Sequence, residues 1–232
     1  MSAALRLTVL VPVFNEARYI ETVLQRVRTV VPEAELIVVD DGSTDGTRAL
    51  LQRLEPELGF RLILHERNQG KGAALRTALA AAQGDVVLIQ DADLEYDPDD
   101  YERLLAPIRK GRADVVYGSR FLGAHRASYF WHRFGNWLIT ILVNLLFNAS
   151  LTDVETGYKV FRASLIPALR LRANSFDIEV ELTCKLLRTG QTLFEVPISY
   201  YGRSYAEGKK ITWRDGVHAL WVIACCRLNP WY

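Results

Sequence analysis

The sequence has almost no net charge and few cysteines. Its 232 residues carry 28 Lys and Arg against 27 Asp and Glu, which gives a formal net charge of +1. A dedicated nucleic-acid-binding protein usually has a strong basic excess, so we expect no nucleic-acid partner. The three cysteines, Cys184, Cys225 and Cys226, form neither an even-numbered disulfide framework nor a metal-ligand spacing. This cysteine usage predicts a reducing, cytoplasmic environment.

Long hydrophobic runs are also missing. The longest, Trp137–Phe147, is interrupted by Asn144 and is shorter than the ~20 residues that a membrane-spanning helix needs. We therefore expect no transmembrane domain. Aromatic and basic residues flank this run and a second apolar segment, so we expect amphipathic helices near 129–148 and 213–227 that lie in a membrane interface. Two helices packed in the protein core would explain the same pattern.

Motifs of several common enzyme classes are absent. The chain has no G-x-x-x-x-G-K-[ST] and no G-x-G-x-x-G after a strand, which argues against an ATPase or a dinucleotide-dependent oxidoreductase. The four histidines have no metal-ligand spacing, and no Ser-His-Asp or Cys-His arrangement is evident. The glycines of residues 68–72 (NQGKG) either expose backbone amides to an anion or pack closely on the sheet.

What the sequence does contain is a regular alternation of strand-like and helix-like segments before Arg120. It predicts an α/β fold with a mainly parallel sheet flanked by helices. The predicted strands are Leu7–Val13, Glu35–Val39, Arg61–His65, Val86–Gln90 and Asp114–Gly118. The predicted helices between them are Glu16–Val30, Asp45–Glu57, Lys71–Gln83 and Pro98–Lys110.

The alternation stops after Arg120. The later elements are predicted as a strand at Gly157–Phe161, a helix at Asp177–Arg188 and a strand at Thr192–Ile198, in addition to the aromatic helix near 129–148. No repeat and no Pro/Gly/Ser-rich linker interrupts the chain. We therefore expect residues 1–232 to form one catalytic domain.

The most informative stretch is Val86–Asp97, an apolar run that stops at the carboxylates Asp91 and Asp93. Residues i and i+2 of an extended segment point the same way, so both side chains can face one Mg²⁺ or Mn²⁺ where ligands bind open parallel sheets. That cation can neutralise a diphosphate leaving group. A second pair, Asp97 and Asp99, is explained by capping of the following helix. The first pair therefore predicts a metal site.

Other charged residues also follow predicted strands. Asp40 and Asp41 are adjacent at a strand end, where their repulsion is unfavourable unless a ligand donor or cation is near. Arg120 follows the fifth strand and Arg203 lies in a Gly- and Tyr-containing loop, where cations can hold phosphate oxygens if they converge on the metal site. Asp153 can orient an acceptor, act as a base, or cap a turn.

Seven motifs in order resemble the family 2 glycosyltransferases of GT-A fold, specifically the dolichyl-phosphate or polyprenyl-phosphate sugar synthases. They are LTVLVPVFNE, VVDDGSTDGT, NQGKGAALRTAL, GDVVLIQDADLEYDP, VVYGSRF, TDVETGYKVFR and EVPISYYGRSYAEGKKI, and together they span nearly the whole chain. The resemblance implies transfer of a sugar, typically mannose from GDP-mannose, onto a polyprenyl monophosphate with inversion. It also implies Mg²⁺ or Mn²⁺ as cofactor and a peripheral position on the inner, cytoplasmic face of the membrane.

The resemblance also assigns roles by matching positions. The residues implied to bind the nucleotide sugar are Pro12, Phe14, Glu16, Val39, Asp41, Asp91, Ala92, Asp93, Arg120, Arg203 and Lys209. Asp91, Asp93 and Glu95 would hold the metal, Arg120 and Arg133 would contact the acceptor phosphate, and Asp91, Asp93, Arg120 and Asp153 would be catalytic. Phe14 replaces a frequent tyrosine, which removes a hydroxyl, and Glu95 replaces a frequent glutamine, which adds charge at the metal.

The chemistry of a lipid phosphate suits these assignments. A lipid phosphate is already an anionic nucleophile at neutral pH, so the enzyme mainly needs alignment and charge compensation at the leaving diphosphate. Two alternatives stay open at this point. One is a soluble glycosyltransferase of the same fold that acts on a small hydroxylated acceptor or a glycan, and the other is a non-catalytic subunit that binds a nucleotide sugar.

Overall fold

The strands form a seven-stranded sheet in the computed structural model, which describes residues 5–126, 130–203 and 213–229. The strands are β1 (Leu7–Val13), β2 (Glu35–Asp40), β3 (Arg61–Leu64), β4 (Val86–Ile89), β5 (Val115–Ser119), β6 (Lys159–Arg162) and β7 (Leu193–Pro197). Their order across the sheet is β3-β2-β1-β4-β6-β5-β7. β6 is antiparallel to β4 and β5, and all the other pairs are parallel.

Helices cover both faces of the sheet. They are α1 (Ile20–Val30), α2 (Thr47–Leu58), α3 (Lys71–Ala81), α4 (Tyr101–Arg109), α5 (Phe130–Phe147), α6 (Ile166–Leu169), α7 (Ile178–Arg188) and α8 (Trp213–Leu228). Short 3-10 turns at Pro98–Asp100 and Ala163–Leu165 precede α4 and α6. No helix in the described part of the chain combines the length and the apolar character that crossing a bilayer requires.

The sheet separates two apolar layers because successive side chains of a strand point to opposite faces. In β1, Val9 and Val11 pack with the helices α1, α2 and α4, whereas Leu10 packs with α3, α7 and α8. β4 is buried along its whole length, as expected of a strand covered by helices on both faces. The apolar runs of β1 and β4 are therefore central strands of the sheet.

The predicted elements agree with the structure except at their ends. The first helix begins at Ile20 and not at Glu16, because Asn15 adopts a left-handed conformation (φ 51°) that breaks the approach to the helix. The next helix begins at Thr47, whose backbone amide donates to Asp45 Oδ1 at 3.1 Å. Asp97 caps the 3-10 turn that precedes α4, which confirms the capping interpretation.

Parallel pairing places the polar strand ends at one edge of the sheet. The carboxyl ends of β1, β2, β4 and β5 share that edge, and antiparallel β6 begins there. The residues that follow β4 and β5 are therefore neighbours of the loop 152–157, which leads into β6.

Candidate active site

Asp91 lies in a buried chain of alternating charges at this edge. Lys71 Nζ is 2.5 Å from Asp91 Oδ1 and 2.9 Å from Glu179 Oε1, and Lys159 Nζ is 2.5 Å from Glu179 Oε2. Burial alone would lower the pKa of Lys71, but Asp91 and Glu179 outweigh it and raise that pKa, so Lys71 stays charged. Sequence reasoning missed Lys71 and Glu179. The only signal was a lysine between two glycines at a helix start.

The glycines beside Lys71 are needed for close packing. Gly70 has φ 98°, and a Cβ on Gly72 would lie 2.3 Å from the carbonyl oxygen of Ala173. The Gly72 amide donates to the Asn174 carbonyl at 2.8 Å. Of the two interpretations of the glycine segment, the structure therefore supports close packing, here against the backbone at 173–174. This packing places Lys71 beside Asp91.

Gly72→Ala is expected to destabilise the protein. The new methyl group would push α3 away from the backbone at 173–174, so we expect a loss of about 1–3 kcal/mol in the free energy of unfolding. Thermal unfolding with circular dichroism measures it. Gly216→Ala in α8 is the control, since a Cβ there meets nothing within 4 Å and Ala favours a helix. Equal melting temperatures for Gly72→Ala and wild type would contradict the packing argument.

Asp93 lies in a second charged cluster, which is built on Arg203. Arg203 Nη2 is 2.7 Å from Asp93 Oδ2, and its two terminal nitrogens also contact Glu16 at 3.1 and 3.2 Å. Burial, Asp91 and Glu95 raise the pKa of Asp93 to about 7 and outweigh the opposing effect of Arg203. Three residues predicted to bind the donor, far apart in sequence, are thus brought together.

 The Glu95 carboxylate holds the 200–203 segment. Its Oε1 accepts from the Arg203 backbone amide at 2.5 Å, and its Oε2 accepts from the Tyr200 hydroxyl at 2.9 Å. Both oxygens already have protein partners. The metal-ligand role of Glu95 therefore stays a prediction.

The donor set at Asp91 and Asp93 fits a divalent cation. Carboxylate oxygens are the ligands that Mg²⁺ and Mn²⁺ prefer, and a cation would relieve the repulsion that raises the pKa of Asp93. Among the described residues, no three His, Cys, Asp or Glu side chains are grouped as a complete metal cage. The remaining ligands would therefore come from phosphate oxygens and water, as is usual where a metal is held together with a nucleotide.

Asp41, which follows β2, binds the backbone of the glycine segment at 68–72. Its carboxylate accepts hydrogen bonds from the Gln69 and Gly70 amides, the latter at 2.7 Å, and lies 2.7 Å from His65 Nδ1. The neighbouring Asp40 pairs with Arg48 at 2.7 Å. Protein groups thus offset the repulsion between the two acids. His65 bridges Asp41 and the Thr77 hydroxyl. The donor-binding role of Asp41 stays a prediction.

The other residues predicted to bind the nucleotide line the same edge. Pro12 pairs with Val39 across β1 and β2, and both are buried. Phe14 follows β1, and Ala92 is buried between Asp91 and Asp93. Lys209 lies outside the described residues.

Arg120 is fixed by a buried carboxylate. Its Nε and Nη2 donate to the two oxygens of Asp153 at 2.7 and 2.8 Å, and its backbone amide donates to Oδ2 at 3.0 Å. Asn136 donates to Oδ1 at 2.9 Å. Burial opposes ionisation of Asp153, but Arg120 outweighs it, so the pKa of Asp153 lies below its usual value. This geometry favours the acceptor-orienting role of Asp153, acting through Arg120, over the role of a base.

Arg133 lies close to Arg120. The guanidinium carbons of Arg120 and Arg133 are 5.8 and 5.3 Å from the centroid of the same Phe121 ring. The two arginines predicted to contact the acceptor phosphate, 13 positions apart in the sequence, therefore both lie against one aromatic ring in the structure. A pair of guanidinium groups is well suited to bind a phosphate.

The first turns of α5 expose an aromatic face beside these arginines, formed by Phe130, Trp131, Phe134 and Trp137. Trp131 is 76% exposed and Trp137 is 54% exposed. The rings contact one another, as shown by the 5.7 Å between the centroids of Phe134 and Trp137. The opposite side of α5 is buried, so the helix belongs both to the core and to the surface. A contiguous exposed apolar patch is typical of a surface that binds a membrane or a partner.

The chain is similar to known proteins over most of its length. Residues 8–170 match the family described as Glycosyl transferase family 2. The chain is 31% identical over 215 residues to an undecaprenyl-phosphate mannosyltransferase of Micrococcus luteus, covering 88% of this chain and 87% of that protein. It is 29% identical over 217 residues to a polyprenol monophosphomannose synthase of Mycolicibacterium smegmatis, covering 88% and 80%.

The fold is similar to that of solved structures. The chain matches glucosyl-3-phosphoglycerate synthase from Mycobacterium tuberculosis, crystallised with Mn²⁺, uridine diphosphate and phosphoglyceric acid, with a TM-score of 0.76 and 22% identity. The match covers 98% of this chain and 80% of that chain. The predicted GT-A fold is thereby confirmed.

Proposed function

Because the chain belongs to glycosyl transferase family 2, we propose that it transfers a sugar from a nucleoside diphosphate to a polyprenyl monophosphate, with inversion at the anomeric carbon. The observation that carries this proposal is the pair Arg120 and Arg133 on one Phe121 ring, next to the exposed aromatic face. The guanidinium groups of Arg120 and Arg133 can bind a phosphate, and the aromatic face can contact a lipid chain. A polyprenyl monophosphate has both of these parts.

The donor side of the proposal rests on Asp91 and Asp93. With a divalent cation, these carboxylates would hold the diphosphate, and the cation would neutralise the charge of the leaving group. Arg203 lies 2.7 Å from Asp93, where its guanidinium can also reach a phosphate oxygen. Mannose from GDP-mannose is the first donor to test, because two similar proteins carry mannose in their names.

The acceptor side requires no general base. A phosphate monoester is anionic at neutral pH, so the chain's task is to place its oxygen in line with the anomeric carbon. Arg120 serves this placement because Asp153 fixes its guanidinium at two points. Asp153 itself is fully buried, so its proposed contribution is to hold Arg120 in place.

The proposed site of action is the cytoplasmic face of the membrane, with the protein bound peripherally. The aromatic face and the exposed Val217 and Trp221 of α8 present apolar area on two helices that contact each other. Aromatic side chains favour the interface between lipid and water. Binding of this kind would bring the arginine pair to the level of lipid phosphates.

A donor and acceptor panel tests the proposed function. Purified protein is mixed with Mn²⁺, a short polyprenyl phosphate and each of several labelled nucleotide sugars, and the product is extracted into organic solvent. We expect labelled lipid with at least one donor, and none without Mn²⁺. Label that stays in the aqueous phase with every polyprenyl phosphate, but joins a small hydroxylated acceptor, would favour the soluble alternative.

Vesicle binding is expected to depend on the aromatic face. Changing both Trp137 and Leu138 to Gln removes two large exposed side chains, so we expect affinity for vesicles of equimolar phosphatidylcholine and phosphatidylglycerol to fall about tenfold or more. Co-sedimentation measures the change. Leu64→Gln on the edge strand β3, which is 40% exposed, is the control. Unchanged sedimentation of the double variant would contradict a membrane role for this face.

A further inference from the structure

The loop 152–157 is held rigidly between α5 and β6. The Thr152 amide donates to the Glu195 carboxylate at 2.8 Å, and the Thr156 hydroxyl donates to the Gly118 carbonyl at 2.6 Å. The Gly157 amide donates to a tyrosine hydroxyl at 2.7 Å. Both ends of the loop are therefore fixed before any ligand binds.

The two ends of this loop lie against the two halves of the candidate site. At one end, Asp153 holds Arg120 on the acceptor side. At the other end, Gly157 lies so near the metal-site carboxylate that a Cβ on it would be 2.4 Å from Asp91 Oδ2. The sugar that moves from donor to acceptor must lie between these halves. Glu155, in the middle of the loop, is thus placed next to the path of the transferred sugar.

Among the described residues, Glu155 differs from the other acids of the site because no protein group pairs with its carboxylate. Within the described parts of the chain, its carboxylate makes no hydrogen bond and no ion pair, even though the side chain is half-buried. Burial raises its pKa, with Arg120 and Lys159 opposing and Asp153 contributing in the same direction. A carboxylate on a rigidly held loop, with no donor among the described residues, is suited to accept hydrogen bonds from a ligand.

We propose that Glu155 is a specificity-determining residue that accepts hydrogen bonds from hydroxyl groups of the transferred sugar and favours neutral hexoses over hexuronates. This inference rests on the proposed function. A carboxylate can accept from two neighbouring hydroxyls, and such bonds to a charged acceptor are strong. It repels the carboxylate of a hexuronate, so the same group selects for one class of sugar and against the other.

The test compares Glu155→Gln and Glu155→Ala with wild type, and with Glu57→Gln on the exposed side of α2 as control. Steady-state rates are measured with a nucleoside diphosphate hexose and the matching hexuronate, and affinity for the nucleoside diphosphate with Mn²⁺ is measured separately. We expect kcat/KM for the hexose to fall about tenfold in Glu155→Gln and about 100-fold in Glu155→Ala. The hexuronate-to-hexose ratio should rise at least about tenfold, while nucleoside diphosphate affinity stays within about twofold.

The outcomes separate the inference from the proposed function. If wild type transfers no sugar to a polyprenyl phosphate, the proposed function fails and the inference with it. If wild type is active but both Glu155 variants keep its hexuronate-to-hexose ratio, only the inference is overturned. A loss of nucleoside diphosphate affinity equal to the loss in kcat/KM would also overturn it, because Glu155 would then act on the nucleotide or its metal. Glu155→Gln preserves shape, so it remains informative if Glu155→Ala does not fold.

Discussion

Asp93→Asn is expected to lower kcat by about 10³-fold or more. The change removes one of two carboxylate charges that would hold the cation, and several kcal/mol of charge stabilisation at the leaving diphosphate depends on that cation. It also weakens the contact with Arg203, which is 2.7 Å away. Single-turnover rates with saturating donor measure the effect on chemistry apart from product release.

The second Asp-x-Asp pair supplies the control for this prediction. Asp99 belongs to the same kind of motif, but its side chain is 75% exposed. It lies in the 3-10 turn before α4, which Asp97 caps. Asp99→Asn is therefore expected to change kcat by less than about twofold. If Asp93→Asn kept a rate within about tenfold of wild type, a cation at this position could not be central to the reaction.

Asp153→Ala is expected to destabilise the protein by about 3–5 kcal/mol, because it leaves Arg120 charged, buried and without its carboxylate. In a chain of this size such a loss lowers the melting temperature by roughly 6–20 °C. Denaturant unfolding measures the free energy directly. Asp114→Ala is the matched control, since its partner Arg162 is partly exposed and exposed pairs contribute about 0–1 kcal/mol.

The cost of Asp153→Ala is also expected to depend on pH. The pKa of Asp153 is lower in the folded chain than in the unfolded chain, because Arg120 outweighs burial. Its stabilising contribution is therefore present above the unfolded pKa of about 4 and is lost as the pH falls through the lower folded value. The difference in unfolding free energy between wild type and variant should shrink in that acidic range. A constant or larger difference there would contradict an ionised Asp153.

Local pattern was enough to predict the elements that supply the site. Apolar runs that end in acids located the carboxyl ends of β2 and β4, because strand periodicity and strand burial are properties of neighbouring residues. The same reasoning placed Asp91 and Asp93 at one sheet edge. It also placed Arg120 at the end of β5, where the structure has it.

Local sequence pattern could not predict which residues contact these side chains. Arg203 and Glu16 are 187 positions apart, and Lys71 meets Asp91 only because α3 begins at the sheet edge where β4 ends. The insertion of antiparallel β6 between β4 and β5 brings the loop 152–157 to the site, and no periodicity in the sequence reports that insertion. The partners of the adjacent acids Asp40 and Asp41 were hidden for the same reason, since Arg48 and His65 come from other elements.

Electron spin-echo measurements on Mn²⁺ bound to the protein with a nucleoside diphosphate test the central claim most directly. The claim is that the cation joins the β4 carboxylates to the diphosphate. We predict ³¹P coupling to Mn²⁺ in the ternary complex, together with a spectrum that differs from that of the free Mn²⁺ nucleotide and returns to it in Asp93→Asn. A spectrum identical to that of the free Mn²⁺ nucleotide in the presence of saturating wild-type protein would contradict the claim.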